Sequence, residues 1–160
     1  MSAELTGATP SHNAPGRNTP NQQARAARQD VSSKGTETLF EQGFDGDGLY
    51  ALRSAVAAHA AEVADDSTVD TVVLVAHELA SNAVRHGGGT GRLRLWLAGG
   101  ALHCEVSDSG KGMPDPGVAG QSLPEPSLPG GRGLWIARHL AELRIVSSPA
   151  GTTVAATVPI

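Results

Sequence analysis

Between Ser67 and Gly89 the chain encodes one long amphipathic helix with a firm stop, and this segment restricts the fold more than any other. Ser67-Thr-Val-Asp70 has the spacing of a capping box, with Asp where Glu is usual. Val72, Val75, Ala76, Leu79 and Ala83 then recur at three- and four-residue steps, which makes one apolar stripe. Gly87-Gly-Gly89 ends the run. A helix with a single apolar stripe has to lay it on a second layer. The next residues supply that layer. From Arg92 to Leu97 basic and apolar residues alternate, with Leu93, Leu95 and Leu97 inward and Arg92 and Arg94 outward. Gly99-Gly100 is a hairpin turn and Ala101 to Ser107 the return strand.

The flanks extend the same scheme. Thr36 to Gln42 alternates enough to be a strand, with Leu39 and Phe40 as its apolar content and Gly43 closing it. Asp45-Gly-Asp-Gly48 is a turn with oxygens able to cap a helix, and it lacks the later ligands of a calcium loop. Leu49 to Ala64 reads as an Ala-rich helix carrying Leu52, Val56 and Val63, with Arg53 and His59 on its surface. Leu134 to Leu143 is predicted helical, Arg144 to Ser148 a strand, and Thr152 to Val158 the last strand. Three helices and five mostly antiparallel strands imply an α+β fold, a two-layer sandwich with helices on one face of the sheet. Between them, Asp108 to Gly131 holds five prolines and six glycines without periodicity, the texture of a functional lid or an insert.

Residues 1–35 differ in kind. Pro10, Pro15 and Pro20 stand among Ser, Thr, Asn, Gln and Gly, with Leu5 and Val31 as the sizeable apolar groups. Such a segment buries too little surface to offset its ordering entropy, so a disordered tail is expected ahead of one domain at 36–160. A net charge of -4 with scattered basic residues offers no footprint for direct nucleic-acid binding. No apolar run approaches the ~18 residues of a membrane span, and no secretory signal opens the chain, so no membrane role and a cytoplasmic location are expected. The one cysteine, Cys104, excludes an intrachain disulfide framework and falls in an apolar run, as a buried inert thiol would.

Candidate chemistry gathers at three places. Glu78 and Asn82 lie four residues apart, hence on one helix face a turn from each other, with Leu74 continuing the row. Such a pair is either a solvated face or a base beside a neutral oxygen ligand, suited to water and a hydrated magnesium ion. Asp108 closes an apolar strand, where its carboxylate either caps the backbone of Gly110 or accepts a hydrogen bond from an exocyclic amine. Gly110 and Gly112 let the backbone run close to a flat ring. Gly131 and Gly133 precede a helix, whose free N–H groups suit phosphate oxygens, and Arg132 between them either reaches a γ-phosphate or stays solvated. This is neither a Walker A motif nor a Rossmann fingerprint. His77 and His86, nine apart, do not make a two-ligand zinc pair.

The order is a helix with Glu and Asn, then a strand running into Asp108-Ser-Gly-Lys-Gly112, then Pro129-Gly-Gly-Arg-Gly-Leu134 entering a helix. It resembles the N, G1 and G2 boxes of the ATP-binding domain shared by gyrase-type ATPases, Hsp90, histidine kinases and MutL, the GHKL fold. The resemblance covers roughly residues 36–160 and is greatest to the free-standing bacterial anti-sigma factors that are serine/threonine kinases. It implies ATP and Mg2+ as ligands, with Glu78 as the base and Asn82 on magnesium. By the same resemblance Asp108 receives the adenine amine, Gly110 and Gly112 wall its pocket, and Thr152 lies near the base. Gly131, Arg132, Gly133 and Leu134 would form the phosphate end, with residues 108–132 spanning both glycine boxes and the lid. The implied partners are a sigma factor and an anti-anti-sigma antagonist that is phosphorylated, and a homodimer is what the family suggests. A nucleotide-dependent binding regulator without kinase turnover is the second reading.

Overall fold

Asp65, not Ser67, caps the long helix. In the computed structural model its side chain accepts a hydrogen bond from the Thr68 backbone N–H at 2.8 Å, and the helix starts at the next residue. Ser67 falls inside the first turn, where its carbonyl accepts from the Thr71 hydroxyl instead. Two consecutive aspartates precede Ser67, and the first of them has the extended backbone that a cap requires. The Thr68 backbone N–H, then its hydroxyl, hold the Asp65 carboxyl below the usual carboxylate range. A depressed carboxyl contributes fully above about pH 4, and its contribution fades as pH falls through the lower folded value.

The structure describes residues 35–123 and 132–160. The expected disordered tail, apart from Gly35, lies outside the described residues, as do Gly131 and the second half of the lid. In chain order the elements are β1 (Thr36–Asp45), α1 (Leu49–Ala60), α2 (Asp66–His86), β2 (Thr90–Ala98), β3 (Ala101–Asp108), α3 (Arg132–Leu140), β4 (Glu142–Ser148) and β5 (Gly151–Pro159). The strands form one sheet in the order β1-β2-β3-β5-β4, and every neighbouring pair is antiparallel. A bulge between Thr38 and Phe40 shifts the register of β1 on β2. The α+β two-layer architecture is as the sequence implied.

The apolar stripe of α2 explains the layering. Val72, Val75, Ala76, Leu79 and Ala83 are buried, and α2 lies across β2, β3 and β5. Beneath them sit Leu93 and Leu95 from β2, Leu102, Cys104 and Val106 from β3, and Val154, Ala156 and Val158 from β5. The helix α1 covers β1, and α3 covers β4. The alternate residues of β2 and β3 face outward, where Trp96 stacks on His103 with the Arg94 guanidinium over its ring. Arg92 pairs with Glu41 at 2.6 Å on the same side. Among the described residues no helix is long and apolar enough to cross a membrane.

Several boundaries moved for tertiary reasons. The helix α1 ends at Ala60, four residues before the predicted end, and its last carbonyls are taken up by a turn through Val63 and Ala64. His59, read as a surface residue, stacks on Phe40. At the other end α3 begins at Arg132 and stops at Leu140, and β4 starts at Glu142. Leu143 and Ile145 pair with Ala156 and Val154 and pack against the core. Pairing with β5 therefore takes Leu143 out of the helix that its local sequence favours. The Asp45 carboxylate binds Gly48 N–H at 2.9 Å and closes the turn, while α1 itself has no side-chain cap.

Cys104 is buried at 2% exposure, and burial, assisted by the charge of Glu105, pushes its thiol up to about 12. Only the thiolate attacks electrophiles. A disulfide reagent such as DTNB is therefore expected to leave the native chain unlabelled at pH 8 and to label one thiol per chain in denaturant. Rapid labelling of the folded protein would contradict this placement.

Candidate functional site

Asp108, at the end of β3, is the best-connected of the candidate residues. Its Oδ1 accepts from Gly110 N–H at 2.9 Å and from Thr152 N–H at 3.3 Å. No described residue donates to Oδ2, which lies against Gly87 at the end of α2. The two sequence readings of Asp108 are therefore compatible: one oxygen caps the turn, and the other keeps its lone pairs for something else. Register explains why Thr152 is here, since Asp108 pairs with Thr152 across the β3–β5 ladder.

Thr152 is buried, and its hydroxyl lies 2.8 Å from the Ser147 hydroxyl. Ser147 Oγ also accepts from Met113 N–H at 2.8 Å. Sequence reasoning missed Ser147. The available signal was its place opposite Thr152 on the β4–β5 hairpin, which becomes visible only once that register is known. Gly112 brings the loop to this point with φ at +79°, and a side chain there would run into the carbonyl of Ser148. So Asp108, Gly110, Gly112 and Thr152 do converge.

Along α2 the other two candidates follow. Asn82 is half-buried, and its carboxamide makes no hydrogen bond among the described residues. Glu78 is half-buried one turn earlier and faces the start of α3. A Cβ placed on Gly133 would stand 2.6 Å from Glu78 Oε2. Only a residue without a side chain admits the carboxylate there, where the free N–H groups of the first helical turn favour negative charge. Glu78 and Gly87 are nine residues apart, so the helix carries this end about 13 Å from the Asp108 end.

Arg132 is exposed as the first residue of α3, Leu134 is buried in the core, and Gly131 lies outside the described residues. The described part of the lid is docked rather than free. Arg138 Nε donates to the Ala119 carbonyl at 2.5 Å, and Gly120 presses on the backbone of Leu134. Arg138 is a second residue the sequence did not single out. A cavity of about 280 Å3 opens beside Asp108, lined also by Thr90, Gly91, Arg92, Ser107 and Ser109. A larger one, about 600 Å3, lies away from these groups between the α1–α2 turn and Ile160. Its lining has the carboxylates Glu62 and Asp65 and no basic residue, so the chemistry points to the Asp108 side.

Gly133→Ala separates site geometry from stability. Alanine in place of glycine favours a helix by about 1 kcal/mol, and the atom it meets is the movable end of Glu78. The expected result is a melting temperature equal to or above wild type together with impaired function at Glu78. A drop in melting temperature would mean that Glu78 cannot move aside.

At the end of α2 lies a carboxylate oxygen to which no described residue donates, and one turn apart along the helix are a carboxamide without a described partner and a carboxylate at a helix N-terminus. That set can hold an amine donor at one end and an anion at the other, with an oxygen ligand between them. A sequence model described as "Histidine kinase-like ATPase domain" matches residues 45–158, most of the chain. No curated protein matches. Among solved structures, the RsbU and RsbW domains of Rv1364c from Mycobacterium tuberculosis align with TM-score 0.54 and 23% identity over 75% of this chain and 32% of theirs. A blue-light activated histidine kinase of Erythrobacter litoralis aligns at TM-score 0.48 and 26% identity, over 58% of this chain and 30% of that one. The isolated histidine kinase domain of the same protein aligns at TM-score 0.49 and 20% identity, over 89% of each chain. The chain thus spans about a third of the first two of these structures.

Proposed function

The chain belongs to the histidine kinase-like ATPase domain family, and we propose that it binds ATP with magnesium and transfers the γ-phosphoryl group to a serine or threonine of a partner protein. The observation that supports this most is the grouping of Glu78 and Asn82, one turn apart on α2, with Asp108 against the end of that helix, each with oxygens that no described residue occupies fully.

Each residue has a task that its chemistry permits. Asp108 Oδ2 accepts a hydrogen bond from the exocyclic amine of adenine, while Oδ1 stays with Gly110 and Thr152. Gly110 and Gly112, pressed against Gly87 and the Ser148 carbonyl, bring the loop backbone to the side of the ring. The first turn of α3, which begins with Arg132 and Gly133, presents backbone N–H groups to the phosphates, Gly131 precedes it in the sequence, and the Arg132 guanidinium is long enough to join them. The Asn82 carboxamide, with no described partner to displace, fits a magnesium ion that keeps most of its waters and phosphate oxygens; when bound, the ion disperses the negative charge of the triphosphate. Glu78 takes the proton from the attacking hydroxyl. The oxygen of that hydroxyl then bonds to the γ-phosphorus as the bond to the β–γ bridging oxygen breaks, and ADP departs.

On this reading the protein is a cytoplasmic anti-sigma factor that holds a sigma factor and phosphorylates an anti-anti-sigma antagonist, acting as a homodimer without touching DNA. Calorimetry of the full chain with Mg·ATP, followed by labelled transfer to candidate antagonist proteins, tests it. Binding with transfer supports the kinase. Binding without transfer to any of them would replace it with a nucleotide-dependent binding regulator, and no binding would end both.

A further inference from the structure

We propose that Gly87 is a positioning residue for Asp108, seating the carboxylate oxygen meant for the base without bonding to it. The inference rests on the nucleotide reading above. Gly87 ends α2 and stands outside the residues given a task there. Glycine at a helix end usually serves a left-handed backbone. Gly88 and Gly89, with φ at +88° and +89°, use it in that way. Gly87 does not, since its φ of -105° and ψ of 22° are open to any residue. What demands glycine there is space.

Gly87 is buried. A Cβ on it would run into Cγ and Oδ2 of Asp108 and stand 2.6 Å from the Ala83 carbonyl oxygen. From the other side, a Cβ on Gly110 would stand 2.6 Å from Gly87 Cα and 3.0 Å from the His86 carbonyl oxygen. The end of α2, the Asp108 carboxylate and the turn after β3 thus meet with no other side chain between them. The two carboxylate oxygens are held differently. Oδ1 takes the N–H groups of Gly110 and Thr152. Oδ2 meets Gly87, whose own N–H is already spent on the Ala83 carbonyl at 2.7 Å. Contact therefore fixes Oδ2 and leaves its lone pairs unclaimed, the state that an acceptor for an exocyclic amine needs. Any side chain at position 87 takes the space of Oδ2. It either turns the carboxylate away or parts the helix end from the loop. Because Glu78 and Asn82 ride on the same helix, this contact also sets the base end relative to the phosphate end.

The test uses the full chain with Mg·ATP and Mg·ITP, binding read by calorimetry and folding by melting without nucleotide. Gly87→Ala is expected to weaken ATP about tenfold and to shrink the ATP-over-ITP preference, since the adenine amine loses its acceptor. A merely structural fault would weaken both nucleotides alike. Melting supplies the second arm. Asp108→Ala removes Cγ and Oδ2, so of the three atoms in the way only the Ala83 oxygen remains. Gly87→Ala should therefore lower the melting temperature less in that background than in the wild type. Should Gly87→Ala not fold alone, the double variant decides: one that folds bears the contact out, and one that does not overturns it. An unchanged ATP-over-ITP ratio in Gly87→Ala, or an equal fall in melting temperature in both backgrounds, would overturn the positioning role while ATP binding itself stood. Failure of the wild-type chain to bind ATP, or to prefer it to ITP, would instead overturn the nucleotide reading, and this inference with it.

Discussion

Glu78→Gln is expected to lower phosphoryl transfer to a protein hydroxyl by about 10²–10⁴-fold, the usual contribution of a positioned general base. Affinity for Mg·ATP should stay near wild type. Glutamine matches the shape of glutamate and keeps an oxygen facing Gly133, so packing at the start of α3 is preserved. It cannot accept the proton of a serine or threonine at neutral pH. It also removes a negative charge from the N-terminus of α3, which a bound phosphate would share, so binding is expected to hold or tighten slightly. Single-turnover transfer and calorimetry on the same preparation separate the two effects. Transfer within tenfold of wild type would remove Glu78 from the base role. A large loss of ATP binding would make it a structural ligand of the pocket.

Asp108→Asn is expected to reduce ATP affinity by on the order of 100-fold and to favour ITP over ATP. Asparagine retains the carbonyl-type acceptor that Gly110 N–H and Thr152 N–H require, so the turn after β3 should survive. Its amide group takes the place of Oδ2, and a donor then faces the amine of adenine. Leaving such a buried pair unmatched costs about 1–3 kcal/mol, and turning acceptor into donor places the loss at the upper end. The same donor suits the 6-oxo group of inosine. Competition of ATP and ITP for the variant measures both effects. Equal weakening of the two nucleotides would mean that Asp108 acts on the fold of the loop rather than on the base.

Much of the framework was legible because it is written in local periodicity. The i, i+3, i+4 stripe of α2 and the alternation of β2 and β3 around Gly99-Gly100 each point to one period and no other. Their apolar faces are the ones that meet in the core. The spacing of Glu78 and Asn82 was likewise a local fact, since four residues on a helix set two side chains on one face. Less was visible where two segments compete for the same residues. Asp65 and Ser67 both had the chemistry of a cap, and backbone conformation decided for Asp65. Leu143 suited a helix, and the β4–β5 ladder drew it into a strand.

The sequence by itself determined the period of each element, the layer each apolar face had to join, and the types of group available for chemistry. These follow from side-chain spacing along the chain, which needs no partner to be expressed. Only the tertiary structure decided which groups meet. It placed Thr152 and Ser147 at Asp108 through cross-strand register, seated Glu78 against Gly133 through the packing of α2 on α3, and tied Ala119 to Arg138. These contacts join residues far apart in the chain, and no local propensity carries the distance between them.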